Sequence, residues 1–284
     1  MDQDNDLGPA LLFCPGDRPE RFAKAAATAD QAVLDLEDGV LPDGKDAARA
    51  AVVAYLAEAG ARAIVRINHP ATPRGRADAA AIVAAGGRTL LLPKTQSRME
   101  VDDILALRAG ADRLRVVVTV ETALGVRALP EILGQPGVTA VSWGPYDLAA
   151  DMGLRSARDG AGQLLSPLAH ARDQILLAAA AARTTVLDTV TAELRDPAIL
   201  ARDAEVAALF GMRGKFAIHP AQVDVIRRAF RPSAAEVERC RRLLAAVPAH
   251  GAFLFEGDMI DEPMLRRARR TLALAERADA TAHA

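Results

Sequence analysis

The sequence predicts an α/β fold, a (β/α)8 TIM barrel with a C-terminal lid loop and helix. Three observations lead to it: short apolar runs typical of buried strands, helical stretches that alternate with them, and a count of eight strand–helix units. Parallel strands covered on both faces have such near-continuous apolar sequences. At 284 residues and 51% hydrophobic composition, the chain is long enough for one domain of this kind.

The elements follow one another along the chain in a regular order. The predicted strands are Ala10–Cys14, Val33–Leu36, Ile64–Ile67, Thr89–Leu92, Arg115–Val120, Val138–Trp143, Thr185–Val190 and Lys215–Ile218. The first helix is predicted to open near Arg18, with Asp17 as its cap and Pro19 in its first turn. A doubly wound sheet is the rival fold, but eight units and a first strand without a following G-x-G-x-x-G motif disfavour it.

The C-terminal region differs in character from the repeating units. We assign residues 1–248 to the barrel and residues 249–284 to a lid segment and helix of the same domain. HGAFLFEGDMIDEP (250–263) is predicted to be a loop, followed by a basic amphipathic helix at Met264–Ala278. Such a loop, anchored by a terminal helix, is typical of a lid or of an arm that crosses to another subunit.

Composition excludes several classes of function. A net charge of −2, with 31 Arg and 4 Lys forming no basic block, predicts no nucleic-acid partner. Cys14 and Cys240 match neither a metal-ligand spacing nor a disulfide framework. Because no apolar run reaches membrane-spanning length and the first ten residues do not resemble a signal peptide, we expect a cytoplasmic protein with no membrane partner.

Two carboxylates follow neighbouring predicted strands. Glu121 and Asp147 would lie at adjacent strand ends, since the chain between them accommodates one helix and one strand. Two carboxylates with open positions suit Mg²⁺, which keeps waters and takes its other ligands from a substrate. The alternative interpretation is that each caps a helix or pairs with an arginine.

Two basic side chains lie at the ends of the third and fourth predicted strands, on the same rim. Arg66 ends the third strand, where it forms either a structural salt bridge or a bidentate clamp on a carboxylate or enolate. Lys94 follows the fourth strand and is either a solvated lysine or a group that contacts a phosphate or carboxylate.

Three acidic residues crowd the end of the second strand. Alternation predicts Asp35 and Glu37 on one face and Asp38 on the other. We expect them to support a metal site from behind rather than to bind the ion. If the turn is purely structural, Lys45 and Arg49 are its expected ionic partners.

Further candidates lie near the end of the chain and at isolated histidines. His219 ends the eighth strand and is more typical of a structural residue than of a base, and His69 and His250 are weaker candidates. Asp261 lies in the late loop, where an Asp normally only stabilises a turn. If that loop folds over the rim, Asp261 would act as a general base.

With these residues established, the chain resembles the citrate lyase β-subunit-like branch of the HpcH/HpaI aldolase/citrate lyase family. The segments that carry the resemblance run over nearly the whole length in family order: LLFCPGDRPERFAKA, LDLEDGV, IVRIN, LLPKT, VETALG, LDTV and GKFAIHP.

The resemblance implies a barrel that uses Mg²⁺, or Mn²⁺ as an alternative, to cleave or form C–C bonds in citryl-CoA, citramalyl-CoA or malyl-CoA. It implies Glu121 and Asp147 as metal ligands, with a homotrimer or hexamer as the assembly; association with other lyase subunits stays open. The catalytic and supporting positions that it implies are Arg66, Asp261, Glu37 and Asp38. The positions that it implies for contact with substrate or CoA are Arg66, Arg18, Lys94, Gly144 and Pro145.

One position departs from the family pattern. The branch carries an acidic residue directly before the metal-binding Asp, and here Tyr146 stands in GPYDL. The GP pair favours the pyruvate-aldolase branch, but that branch has a histidine where this chain has Asp38. Two alternatives therefore stay open: a class II pyruvate aldolase acting on free 2-oxo acids, and a non-catalytic paralogue that binds oxaloacetate or an acyl-CoA.

Overall fold

A computed structural model describes residues 7–59, 63–108, 113–248 and 251–282. The chain forms two compact units, one up to Ile226 and the other from Arg227 onwards. The sequence-based boundary after residue 248 stays a prediction. In the second unit the helix at Ala234–Ala245 packs with the C-terminal helix. No helix in the described ranges has the length and apolar character of a membrane span.

The first unit is a closed barrel of eight parallel strands, which confirms the predicted fold. Each strand pairs with its successor, and the eighth pairs with the first. The strands are β1 (Ala10–Pro15), β2 (Gln31–Asp35), β3 (Ile64–Arg66), β4 (Thr89–Leu92), β5 (Arg115–Val120), β6 (Val138–Trp143), β7 (Thr185–Asp188) and β8 (Gly214–Ala217).

Helices separate the strands, as the periodicity predicts. They are α1 (Phe22–Thr28), α2 (Lys45–Ala59), α3 (Pro73–Ala84), α4 (Arg98–Leu105), α5 (Ala123–Arg127), α6 (Leu129–Leu133), α7 (Pro145–Asp151), α8 (Ser166–Ala182), α9 (Pro197–Leu209) and α10 (Val223–Phe230). The predicted cap at Asp17 is wrong, because a 3₁₀ turn at Pro19–Arg21 precedes α1 and Arg18 takes the cap position without a side-chain hydrogen bond. Pro19 does lie in that first turn, where its missing N–H costs nothing.

The barrel is filled by one inward residue from each strand. These side chains form a single apolar layer that also includes Leu7, and they are Leu11, Val33, Ile64, Leu91, Val117, Ala140, Leu187 and Phe216. Since side chains alternate along a strand, residues two positions further on also face the interior, closer to the carboxyl ends. That next layer, described below, is where polar groups replace apolar ones.

The second unit contains α11 (Ala234–Ala245), a hairpin of β9 (Phe253–Phe255) and β10 (Asp258–Ile260), and α12 (Glu262–Ala282). The prediction of a loop over residues 250–263 is therefore wrong for its centre. The two turn residues, Glu256 and Gly257, have φ of 51° and 89°, the left-handed conformations that a tight hairpin requires.

Packing of the hairpin explains part of its apolar sequence. Ile260 is fully buried with Leu243, Leu265 and Ala268 of the same unit, so that side chain needs no partner subunit to cover it. Other apolar side chains of the hairpin stay exposed, at 71% for Leu254 and 63% for Met259.

Candidate active site

Charged side chains gather where β2 to β6 end at the carboxyl rim of the barrel. The register between β2 and β3 places Asp35 directly beside Arg66. Both residues lie two positions beyond members of the apolar layer, Val33 and Ile64, and so face the interior one level higher. The carboxyl ends of barrel strands are where enzymes of this architecture assemble their active sites.

The Arg66 guanidinium is held by two carboxylates. Its Nε donates to Asp35 Oδ1 at 2.7 Å and its Nη2 to Asp35 Oδ2 at 2.6 Å, a bidentate pair. Its Nη1 lies 3.1 Å from Glu37 Oε2, but the two are not aligned for a hydrogen bond, and no other donor in the described ranges reaches that buried oxygen. Burial opposes the charge on Arg66, yet the hydrogen bonds and charge of Asp35, followed by the charge of Glu37, raise its pKa above the ordinary value.

Asp35 also organises the acidic turn that follows β2. Its Oδ1 accepts a hydrogen bond from the backbone N–H of Glu37 at 2.9 Å, and its Oδ2 accepts one from Gly39 at 2.8 Å. A Cβ at Gly39 would lie only 2.4 Å from Oδ2, so the turn closes tightly on this carboxylate. Because β2 ends at Asp35, the strand alternation expected for Glu37 and Asp38 does not extend to them.

Lys94 links this acidic turn to the neighbouring strand ends. Its Nζ lies 2.6 Å from Glu37 Oε1, 3.4 Å from Asp38 Oδ2 and 3.5 Å from Asp147 Oδ1. Burial opposes its charge, but the hydrogen bond to Glu37 and the surrounding carboxylates raise its pKa above the ordinary value. Its φ of 50° is left-handed, a strained conformation for a residue with a Cβ.

Glu121 is a buried carboxylate of the rim, at 5% exposure. The backbone N–H of Lys94 donates to its Oε1 at 2.9 Å. Burial, followed by the charges of Asp147 and Glu37, raises the pKa of Glu121 to about 8. The carboxylate presses against Gly144, where an added Cβ would lie 2.2 Å from Oε2. A residue with a side chain at this position would push Glu121 out of place.

Asp147 lies in the first turn of α7, a short helix within what we expected to be a Gly-rich loop. Gly144 takes the N-cap position and Pro145 the first helical position. This start of a helix turns Asp147 toward the rim, with its side chain 42% exposed and within 3.5 Å of Lys94. Tyr146, beside it, is 43% exposed.

The donor set at this rim suits a small divalent cation. Glu121 and Asp147 supply carboxylate oxygens, the ligands that Mg²⁺ prefers, and the close approach of negative groups around Glu121 favours a positive charge there. Among the described residues, no group of three or more His, Cys, Asp or Glu side chains is arranged to hold a metal ion. A site with two protein ligands therefore stays a prediction that relies on water and substrate for the other positions.

A buried polar network supports the acidic turn from behind. Lys45 Nζ donates to the carbonyls of Leu36 and Glu37 at 3.0 and 2.8 Å, and to Asn68 Oδ1 at 2.7 Å. Asp78, fully buried, accepts hydrogen bonds from both nitrogens of Asn68. Lys45 therefore fixes the backbone of the turn rather than pairing with its carboxylates.

The predicted pairing of Arg49 with the acidic turn is also wrong. Its Nε donates to Asp78 Oδ1 at 2.6 Å, and its Nη2 lies 3.1 Å from Asp46. The ionic partners that the turn does have are Arg66 and Lys94, both from strand ends on its own rim.

The candidate histidines His219 and His69 have structural roles. His219 caps a 3₁₀ turn by accepting a hydrogen bond from the N–H of Ala221 at 3.2 Å. His69 accepts one in the same way from Ala71 at 3.1 Å. His250 lies outside the described residues.

The sequence also predicts roles for Arg18 and Asp261, which lie in different units of the chain. The Arg18 side chain is 55% exposed, with its Nε 3.8 Å from neighbouring Asp17. Asp261 belongs to the second unit, where it precedes α12 and its carbonyl accepts hydrogen bonds from Met264 and Leu265. Their predicted roles stay predictions.

Two features of the region were missed in the sequence. The guanidinium of Arg66 stacks over the ring of Phe13, with Cζ 4.7 Å from the ring centroid. The alternation of inward and outward side chains along β1 indicates that Phe13 faces the barrel interior. On the outer face, Lys215 is 1% exposed and donates to Asp188 Oδ2 at 2.6 Å, while Trp143 Nε1 donates to Asp188 Oδ1 at 3.0 Å. A lysine inside an apolar strand was the available signal.

A closed barrel with charged groups at the carboxyl ends of its strands is typical of α/β-barrel enzymes. Residues 10–220 match the model of the HpcH/HpaI aldolase/citrate lyase family. The chain belongs to that family.

Known relatives cover nearly the full chain. The crystal structure of protein CitE from Mycobacterium tuberculosis in complex with magnesium, acetoacetate and coenzyme A has a TM-score of 0.86 and 40% identity, covering 95% of this chain and 98% of that one. A (3S)-malyl-CoA thioesterase of Cereibacter sphaeroides is 33% identical, covering 94% of each chain. The mitochondrial citramalyl-CoA lyase of Homo sapiens is 30% identical, covering 94% of this chain and 85% of its own.

Proposed function

We propose that this chain is a Mg²⁺-dependent carbon–carbon lyase that cleaves a β-hydroxyacyl-CoA to acetyl-CoA and a 2-oxo acid. The candidate substrates are citryl-CoA, citramalyl-CoA and malyl-CoA. The observation that supports this best is the meeting of Glu121, Asp147 and Arg66 at one rim, linked through Lys94 and Glu37. The human relative named citramalyl-CoA lyase and the magnesium and coenzyme A bound by the mycobacterial relative support the same assignment.

Glu121 and Asp147 would hold the ion through their carboxylate oxygens. When bound, Mg²⁺ supplies Lewis-acid polarisation of the substrate's hydroxyl and carboxylate oxygens and lowers the pKa of that hydroxyl. The burial of Glu121 suits this role, because a water-poor site strengthens its attraction for a cation.

Arg66 would stabilise the negative oxygens that develop as the C–C bond breaks. Asp35 occupies the Nε side of the guanidinium and leaves further N–H groups for a ligand. A preorganised donor of this kind is worth roughly 3–4 kcal/mol in the transition state. Glu37 and Asp38 would hold Lys94 beside the site, where its ammonium favours binding of an anionic substrate.

Asp261 would exchange a proton with the methyl carbon of the acetyl group, and we propose that a neighbouring subunit supplies it within a homotrimer or a dimer of trimers. The exposed Leu254 and Met259 of the hairpin that precedes Asp261 support an interface there. We expect Asp261→Ala and Arg66→Ala, each inactive alone, to regain partial activity when co-assembled, since some mixed sites contain both intact residues. No regained activity in verified mixed oligomers contradicts the shared site.

A thioesterase is the second candidate, because the malyl-CoA thioesterase of C. sphaeroides is 33% identical over almost the whole chain. The same rim would bind the acyl-CoA, with hydrolysis of the thioester releasing free CoA. Lyase and thioesterase therefore share a substrate class and differ in the products that leave.

One screen distinguishes these functions. Purified protein with Mg²⁺ is incubated with each of the three CoA thioesters, and acetyl-CoA and free CoA are measured separately. Acetyl-CoA with a 2-oxo acid indicates the lyase, and free CoA with the intact hydroxy acid indicates the thioesterase. Turnover of free 2-oxo acids without CoA would indicate the pyruvate aldolase, and binding without turnover would indicate a non-catalytic paralogue.

The metal assignment has its own test. We expect Glu121→Gln to abolish both turnover and Mn²⁺ binding measured by titration calorimetry, with the fold retained. Glu131→Gln, at an exposed position of α6, is the matched control and should bind Mn²⁺ like the wild type. Full activity of Glu121→Gln, or of the wild type in excess EDTA, contradicts the metal site.

A further inference from the structure

Three neighbours restrict the orientation of Arg66: Asp35, Glu37 and Phe13. Asp35 takes the Nε and Nη2 atoms along one edge of the guanidinium, at 2.7 and 2.6 Å. The ring of Phe13 lies against one face, with its centroid 4.7 Å from Cζ. An arginine has five N–H donors, and the bidentate pair uses two of them. Nη1 lies 3.1 Å from Glu37 Oε2 without forming a hydrogen bond, so its N–H groups stay available to a ligand.

Phe13 is itself held in place. Its ring packs against Phe216 with centroids 5.0 Å apart, and it rests on the apolar layer of the barrel. It lies two residues beyond Leu11 on β1, so it shares the interior level of Asp35 and Arg66. The Phe13 ring is therefore fixed by its packing, and the guanidinium of Arg66 stacks on it.

We propose that Phe13 and Asp35 are positioning residues that hold Arg66 in one orientation, with its unused N–H groups directed at the two oxygens of a bound carboxylate or enolate. The Asp35 pair fixes rotation within the plane, and the ring fixes the plane itself, because a cation prefers the face of an aromatic ring. The ligand chemistry rests on the proposed function, whereas the geometry of the arginine does not.

A substitution of Phe13 tests the positioning role more directly than a substitution of Asp35. Asp35 also binds the backbone of Glu37 and Gly39, so replacing it disturbs the acidic turn as well. Phe13 packs against Phe216, Arg66 and the apolar layer, and leucine keeps most of its apolar bulk. Phe22→Leu is the matched control, since Phe22 is a buried ring that packs on Tyr55 instead.

The first measurement is NMR of protein labelled with ¹⁵N-arginine, in which the Arg66 Nε–H signal is assigned by its loss in Arg66→Lys. We expect a slowly exchanging signal that moves downfield and exchanges faster in Phe13→Leu, because the ring no longer shields it. Phe22→Leu should leave the signal unchanged. An unchanged signal in Phe13→Leu overturns the proposal, because the ring then does not contact the guanidinium in solution.

The second measurement is the affinity for pyruvate or oxaloacetate with Mg²⁺ present. We expect Phe13→Leu to weaken binding roughly 2- to 30-fold, the range of a cation–π contact, and to cause no further loss in an Arg66→Ala background. An equal loss in both backgrounds overturns the proposal, since Phe13 would then act independently of Arg66. If the wild type binds no 2-oxo acid, the proposed function fails and the NMR signal alone decides the positioning role.

Discussion

Lys215→Met tests the buried ion pair on the outer face of the barrel. The Lys215 ammonium, at 1% exposure, donates to Asp188 at 2.6 Å and to the carbonyl of Thr189 at 2.7 Å. Methionine keeps the length and apolar stem but leaves the Asp188 carboxylate without its cation. Removing one partner of a buried pair costs about 3–5 kcal/mol, so we expect a loss of that size in the free energy of unfolding.

Urea denaturation followed by tryptophan fluorescence measures this loss directly. Trp143 is the one tryptophan of the chain and donates to Asp188, so its emission reports on the unit that contains the pair. Arg98→Gln is the control, because its exposed pair with Asp102 is an i,i+4 helix contact worth about 0.3–0.5 kcal/mol. The double variant Lys215→Met with Asp188→Leu should recover part of the loss, since neither charge is then left buried alone.

The reasoning would be refuted if Lys215→Met lost less than about 1 kcal/mol in the free energy of unfolding while the slope of that free energy against urea concentration stayed unchanged. The pair would then be solvated in the folded state, and its short distances would not reflect a desolvated contact.

Three further predictions concern the rim and the first strand. Arg66→Lys should lower turnover on the order of 100-fold with little change in melting temperature, because lysine lacks the planar fork; a loss in stability alone would instead indicate a structural ion pair. Gly144→Ala should weaken Mn²⁺ binding, since its Cβ would meet Glu121 Oε2 at 2.2 Å, whereas Gly160→Ala, with open space around it, should not. Burial raises the pKa of Cys14 to about 11, so at pH 8 about one thiol in a thousand is ionised, and iodoacetamide should label Cys14 only in denaturant; rapid labelling of the folded protein at pH 8 would contradict the burial.

Local pattern was enough to locate most of the barrel. The predicted limits of the strands at Thr89–Leu92, Arg115–Val120 and Val138–Trp143 match the structure, because fully buried strands need uninterrupted apolar runs. The sequence-based predictions were wrong where turn conformation and helix capping decide the local structure. The hairpin around Glu256 and Gly257 depends on two left-handed residues, and α7 depends on a glycine cap within a segment that is otherwise loop-like.

The sequence by itself determined that carboxylates and basic groups would meet at one rim, since the carboxyl ends of parallel strands in a closed barrel all face the same way. It also indicated Glu121, Asp147 and Arg66 as the central residues. Only the tertiary structure decided which charge contacts which: Asp35 holds Arg66, and Lys94 reaches Glu37, Asp38 and Asp147, whereas Lys45 and Arg49 turn away to buried acceptors. Pairing depends on strand register and on side-chain reach across neighbouring elements, and neither quantity is encoded in the local pattern of a single strand.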